Sequence, residues 1–336
     1  MKLTITAAAV AISIALPGFA GTLNDTYTSY YAFGDSLVDD GKLEPFFDFA
    51  SISLDGRFSN GQTWAELVAA DFDGGEQTLN LGIGGATANG PDIGAAAGPL
   101  RLTTFAGQVG TFTEALGLGG IVSGDNPLVS VIFGANDIFQ ELDTVAPDIN
   151  VAFAAADAVA AGILQLASLG SSQLDDFLVS NLPDIGATPS FTTFLGDPDG
   201  VGPGAAAATA FTDAFNFQLG LNLIALTDGG LNITVLDLNG IFADVVAGNT
   251  DGALSALAGL DVVNACTISI RSQDFPVCDD PNLTFFVDGV HPNALAHEAI
   301  AGIAVDQLAP VPLPAGLPLG LTALAALGFL GRRRAA

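Results

Sequence analysis

Histidine is almost absent from this sequence: its 336 residues include two, His291 and His297. There are also two cysteines, Cys266 and Cys278, and eight lysines and arginines against 36 aspartates and glutamates. Each scarcity excludes something. Two cysteines and two histidines scattered in this way do not supply a structural zinc site, and no metal or other cofactor is expected. Between Gly21 and Pro310 the basic residues are Lys42, Arg57, Arg101 and Arg271, set against all 36 acidic ones, a net charge of −32. Such a chain repels nucleic acid and anionic membrane surfaces, so neither is a partner. Its acidic coat suits a saline medium, where screening weakens self-repulsion. Asp197 and Asp199 in "GDPDGVGPG" (196–204) offer calcium a foothold, although an Asp-Pro-Asp-Gly turn is the ordinary reading. No Gly-x-Ser-x-Gly occurs, which argues against a nucleophile elbow. No Gly-x-x-x-x-Gly-Lys-Ser/Thr occurs either, which excludes a phosphate-binding P-loop.

Both ends read as processing signals. Residues 1–20, "MKLTITAAAVAISIALPGFA", have a basic start, an apolar run too short to span a bilayer, and small residues at Gly18 and Ala20 before Gly21. That is the pattern of a secretory signal peptide. It predicts an exported protein that is periplasmic, on the cell surface or extracellular, with signal peptidase as a partner. In that setting Cys266 and Cys278, twelve apart, read as one local disulfide, contributing about 3 kcal/mol at most. Residues 311–336 carry an apolar stretch from about Leu313 to Leu330 followed by Arg332, Arg333 and Arg334. The plain reading is a membrane anchor with a cytoplasmic end, the chain's sole link to a membrane. The order "VPLPA", apolar helix, arginine cluster also resembles the PEP-CTERM sorting signal. This resemblance implies an exosortase-type sorting enzyme as a further partner.

Residues 21–310 between them are expected to form one domain, since no linker or fixed-period repeat divides them. Apolar runs at 29–33, 77–83, 127–133, 175–182 and 231–238 read as buried strands. Helical stretches at 61–70, 151–170, 205–226 and 293–308 separate or follow them. Strands rich in Val, Ile, Leu and Phe alternating with helices predict βαβ units: an α/β fold with a mainly parallel sheet covered on both faces. Ligands of such sheets sit beyond the carboxyl ends of the strands.

The strand ends carry the chemistry. Gly34-Asp35-Ser36 follows the first strand, "LGIGGATANG" with Gly84 and Gly85 the second, and Asn136-Asp137 the third. Asp288 and His291 stand three apart in "FFVDGVHPN". By itself Ser36 is open between a turn residue capping a helix and a nucleophile. A serine hydroxyl needs a base to become nucleophilic. His297 lies inside a predicted helix, whereas His291 lies in a loop before one, so His291 is the candidate base and Asp288 its partner. Ser36 N–H at a helix start, Gly85 N–H and the Asn136 side chain are candidate oxyanion donors. Together these are the parts of an acyl-transfer site.

With these residues in order, the chain resembles the GDSL or SGNH hydrolases through "FGDSLVDDG", "LNLGIGGATA", "FGANDIF" and "FFVDGVHPN". "GRFSNGQTWAELVA" (56–69), "VSNLPDIGATP" (179–189) and "FNFQLGLNL" (215–223) are similar to the branch of plant GDSL lipases, lecithinase/haemolysin-type enzymes and autotransporter esterases. The resemblance implies a flavodoxin-like three-layer α/β/α sandwich and a serine esterase or lipase. Its expected substrates are lipid, phospholipid or short-chain acyl esters. It also implies Ser36, Asp288 and His291 as triad and Ser36, Gly85 and Asn136 as oxyanion hole. A polysaccharide acetyl esterase with the same site, or a non-catalytic surface protein, are the alternatives. One departure stands out. The branch reads Asp-x-Gly-Asn where this chain has Asp39-Asp40-Gly41-Lys42.

Overall fold

The computed structural model describes residues 22–72, 77–121, 124–169, 174–193 and 204–309. The signal-like segment 1–20, the tail 311–336 and the Asp197–Asp199 turn lie outside the described residues.

Thr22–Leu308 forms one compact unit. Five parallel strands make its central sheet: β1 (Ser29–Gly34), β2 (Gln77–Asn80), β3 (Pro127–Ile132), β4 (Asp176–Ser180) and β5 (Asn232–Leu236). Their order across the sheet is β2-β1-β3-β4-β5, the doubly wound order of flavodoxin-like proteins. The chain therefore reverses its winding between β1 and β3, and that is where a crevice opens at the carboxyl ends of the strands.

The three central strands β1, β3 and β4 are buried on both faces, so they read as apolar runs rather than alternating ones. Period-two geometry still sorts their side chains. Tyr31, Phe33, Val129, Val131, Phe177 and Val179 join one continuous core. They meet residues of α2 (Phe105–Gly117), α4 (Asn150–Ala167) and α6 (Ala205–Asp228) there. Small residues let these helices come close: Gly162 of α4 leaves no room for a Cβ against the Phe105 ring. On the other face, α1 (Trp64–Ala69) packs on α8 (Ala294–Leu308), and Phe72 stacks on Tyr30 at 5.6 Å between ring centres. The remaining helices are α3 (Ala135–Leu142), the single turn α5 (Pro189–Thr192) and α7 (Leu238–Ala247). A separate parallel pair, β6 (Asp261–Ala265) and β7 (Thr284–Phe286), carries the chain back toward the crevice.

The five expected strands and four expected helices are present with shifted ends. One local expectation is wrong. Ser36 does not begin a helix: residues 35–38 make a turn, with Val38 N–H bonded to Asp35 O at 3.2 Å, and the next α-helix is α1. The reason is local. Asp35 Oδ1 accepts Leu37 N–H at 3.1 Å, and Asp39 Oδ1 accepts Gly41 and Lys42 N–H at 3.0 and 2.9 Å. The Asp39 carboxylate thus takes the two donors that a helix running on from Ser36 would return to the carbonyls of Leu37 and Val38. The helix start at the crevice belongs to α3 and holds Asn136 instead.

Candidate active site

Four loops bring the site together at the carboxyl end of the sheet. Ser36 follows β1, Gly85 follows β2, Asn136 opens α3 after β3, and His291 stands between β7 and α8. All four line a cleft of about 810 Å³.

Ser36 Oγ lies 2.8 Å from His291 Nε2, across 255 residues of sequence. The other imidazole nitrogen, Nδ1, lies 2.8 and 2.9 Å from the two carboxylate oxygens of Asp288. An ionised carboxylate can only accept, so Nδ1 carries the proton and Nε2 is left to accept from the serine hydroxyl. Asp288 is 5 % exposed and heavily bonded: Val290 and His291 N–H donate to Oδ1, and Ile270 N–H to Oδ2. Burial alone would raise its pKa, but the electrostatic pull of His291 and these hydrogen bonds outweigh burial and hold it below the ordinary value. It is therefore a permanent anion behind His291.

His297 is unsuited to that role. It is 1 % exposed, and its Nδ1 accepts Trp64 N–H at 3.1 Å. Burial, with a smaller push from His291, lowers its pKa to about 3, so it stays neutral as part of the α1–α8 packing.

The two glycines after β2 divide the work. Gly84 N–H donates to Asp39 Oδ2 at 2.7 Å, and a Cβ there would strike the Phe58 ring at 2.3 Å. Gly85 has φ +83°, faces open space and has no bonded acceptor for its N–H among the described residues. A left-handed turn of this kind suits glycine. Asn136 Nδ2 donates to Ala86 O at 3.0 Å, which orients the amide and leaves its second hydrogen uncommitted.

Several residues whose roles were not legible in the sequence hold these groups in position. Asp137, 6 % exposed, accepts Ala88 N–H at 2.7 Å and Asn89 N–H at 2.9 Å, fixing the loop that carries Gly85. Asp39, in the "DDGK" stretch, does the same from the other side by accepting Gly84 N–H. Its carboxylate knits 39–42 into a turn, and Lys42 Nζ pairs with Asp40 at 2.5 Å. The "GRFSN" stretch supports the histidine loop. Phe58 lies against the His291 ring at 5.0 Å, Ser59 Oγ donates to Pro292 O at 3.1 Å, and Asn60 Oδ1 accepts Ala294 N–H at 2.8 Å. The quoted "GRFSNGQTW" block was the available signal, but nothing in it names a partner 233 residues away. Cys266 and Cys278 are joined by a disulfide, closing the loop that contains Ile270.

Such an arrangement can deliver a nucleophile, a base with an oriented tautomer, and hydrogen-bond donors where an oxyanion would form, which are the means of a serine hydrolase on a doubly wound sheet. The profile of the family described as GDSL-like Lipase/Acylhydrolase matches residues 30–303, and the chain belongs to that family of ester hydrolases. Three solved structures overlap it. A candidate arylesterase from Agrobacterium tumefaciens str. C58 shares 19 % identity over 83 % of this chain and 97 % of its own, with a TM-score of 0.40. An inhibitor-bound aryl esterase of M. smegmatis shares 14 % over 84 % and 98 %, at 0.41. An extracellular lipase from Streptomyces rimosus shares 15 % over 82 % and 99 %, at 0.36. The fold itself is read from the strand order, not from these overlaps. No curated protein sequence matches the chain.

Proposed function

We propose that this protein is an exported serine ester hydrolase that works through an acyl-enzyme on Ser36. The observation that carries the reading is the unbroken hydrogen-bonded chain from Ser36 Oγ through His291 to Asp288 beside the apolar cleft. Ser36 Oγ attacks the ester carbonyl while its proton passes to His291 Nε2, and Asp288 stabilises the imidazolium. The developing oxyanion takes hydrogen bonds from Ser36 N–H, Gly85 N–H and the free amide hydrogen of Asn136, each worth roughly 3–4 kcal/mol in the transition state. With no helix behind Ser36, the helix N-terminus at the crevice is that of α3, whose first turn carries Asn136. Collapse expels the alcohol, which takes its proton from His291. Water then attacks the acyl carbonyl as its proton passes to His291, and His291 returns that proton to Ser36 Oγ as the acyl–Oγ bond breaks and the acid leaves.

The cleft wall formed by Phe139, Leu142, Leu182, Ile185 and Phe191 is apolar. It supports lipid, phospholipid or short-chain acyl esters with a chain longer than acetyl, and so favours these over an acetylated polysaccharide. Export rests on the signal-like N-terminus, and surface sorting on the VPLPA tail. A fluorophosphonate probe is expected to label the wild type and leave S36A unlabelled; equal labelling of both would exclude Ser36 as the nucleophile.

A further inference from the structure

Arginine is the side chain this protein has least freedom to leave unpaired, because 36 carboxylates compete for four basic residues between positions 21 and 310. Three of the four follow that rule. Lys42 pairs with Asp40 at 2.5 Å, Arg57 with Glu66 at 2.6 Å, and Arg101 with Asp92 and Glu114 at 2.8 and 2.7 Å. Arg271 departs from it. Among the described residues it has no carboxylate within 4.0 Å, is exposed, and lines the cleft that holds Ser36. Its guanidinium carbon sits 5.7 Å from the centre of the Phe47 ring, a flat apolar support that leaves its N–H groups available.

The backbone at Arg271 is firmly held. The preceding Ile270 is fully buried among Phe49, Ala50, Phe58 and Val287, its N–H donates to Asp288 Oδ2 at 3.2 Å, and its carbonyl accepts Ala50 N–H at 2.9 Å. The Cys266–Cys278 disulfide closes the same loop. Arg271 is thus presented from the loop bonded to Asp288, on the side of the cleft that carries His291. Chemistry assigns that side. His291 must hand its proton to the departing alcohol oxygen, so the alcohol part of an ester lies toward His291 and the acyl part toward the apolar wall of α3. The charge at the α3 end is of the opposite sign, Asp143.

We propose that Arg271 binds an oxyanion, phosphate or carboxylate, on the alcohol part of the ester. The preferred substrate is then a neutral acyl group esterified to an anionic alcohol, and hydrolysis releases a carboxylic acid and that alcohol. The proposal rests on the ester-hydrolase reading above. A guanidinium offers phosphate and carboxylate the same forked pair of donors. In a segment, 21–310, of net charge −32 it also gives an anionic substrate one local site of attraction against a repelling surface.

The test uses the mature protein and three butyrate esters: monobutyrin, which is neutral, butyryl-glycerol 3-phosphate, and the butyrate ester of glycolate. R271Q is expected to raise KM for an anionic ester about tenfold with kcat unchanged, and to leave monobutyrin within about twofold. R271K restores part of the loss, and raising salt from about 0.05 to 0.5 M erodes the wild-type preference. A KM change confined to the phosphate ester identifies phosphate as the group, one confined to the glycolate ester identifies carboxylate, and a change in both identifies the shared charge. An equal effect of R271Q on all three esters, or none on any, overturns the proposal. Monobutyrin turnover serves as the control for folding. If the wild type neither hydrolyses monobutyrin nor reacts at Ser36 with fluorophosphonate, the hydrolase reading itself fails.

Discussion

Asp35 is 1 % exposed and sits directly before Ser36. Burial, helped by the negative charge of Asp137, raises its pKa to about 7 against the partial relief given by Leu37 N–H and His291. In the unfolded chain an aspartate titrates near 4. Between about pH 4 and about pH 7 the folded protein therefore keeps a proton that the unfolded chain releases, and stability falls as pH rises through that window. The contribution is fully present below about pH 4 and lost once the pH passes about 7. A gap of about three pH units corresponds to ~4 kcal/mol at the upper end, and internal relaxation brings the expected value to about 2–4 kcal/mol. D35N keeps the size of the side chain and the acceptor for Leu37 N–H but has no proton to lose. Urea denaturation of both proteins at about pH 4 and pH 8 should show D35N gaining about 2–4 kcal/mol on the wild type between the two. Asp39 and Asp176 are also raised, chiefly by burial, but they are common to both proteins and cancel in the difference, whereas Asp137, also raised by burial, titrates together with Asp35 and is part of the measured effect. A difference constant to within about 0.5 kcal/mol, the scale of a surface substitution, would show that Asp35 titrates as an ordinary carboxylate.

N136A should lower kcat by roughly 10²–10³ with little change in melting temperature, since it removes one oxyanion donor; a fall of less than about threefold, in steady-state kinetics, would take Asn136 out of the oxyanion hole. The double variant C266S/C278S should lose up to about 3 kcal/mol in urea denaturation while Ser36 still reacts with fluorophosphonate. An unchanged unfolding midpoint would mean that the loop is held by Ile270 and its backbone bonds alone.

Most of the sheet was legible because β1, β3 and β4 are buried on both faces and therefore read as unbroken apolar runs. Helix α2 was not, because Gly107, Gly110 and Gly117 with Thr111 and Thr113 lower its helical propensity. Gly107 and Gly110 are there for contact: a Cβ would meet Arg101 O at 1.7 Å and Asp92 Oδ2 at 2.3 Å. Strands β6 and β7 escaped notice because one is largely exposed and the other has three residues. Within the site, Ser36, Gly85, Asn136, Asp288 and His291 were legible as residue types at strand ends. The direction of the chain after Ser36 was not, since propensity does not show that Asp39 will take the backbone donors of Gly41 and Lys42. Nor were the supports at Phe58, Ser59, Asn60 and Asp137, whose meaning lies in partners remote in sequence.

The separation of 255 positions between Ser36 and His291 has a consequence for how the protein is made. The first residue of the site leaves the ribosome early, and the last only after all five strands of the main sheet have been synthesised. A nascent or truncated chain ending before residue 291 carries the hydroxyl but no base to deprotonate it. On the proposed mechanism, hydrolytic competence therefore arrives late, once the segment between β7 and α8 has been made.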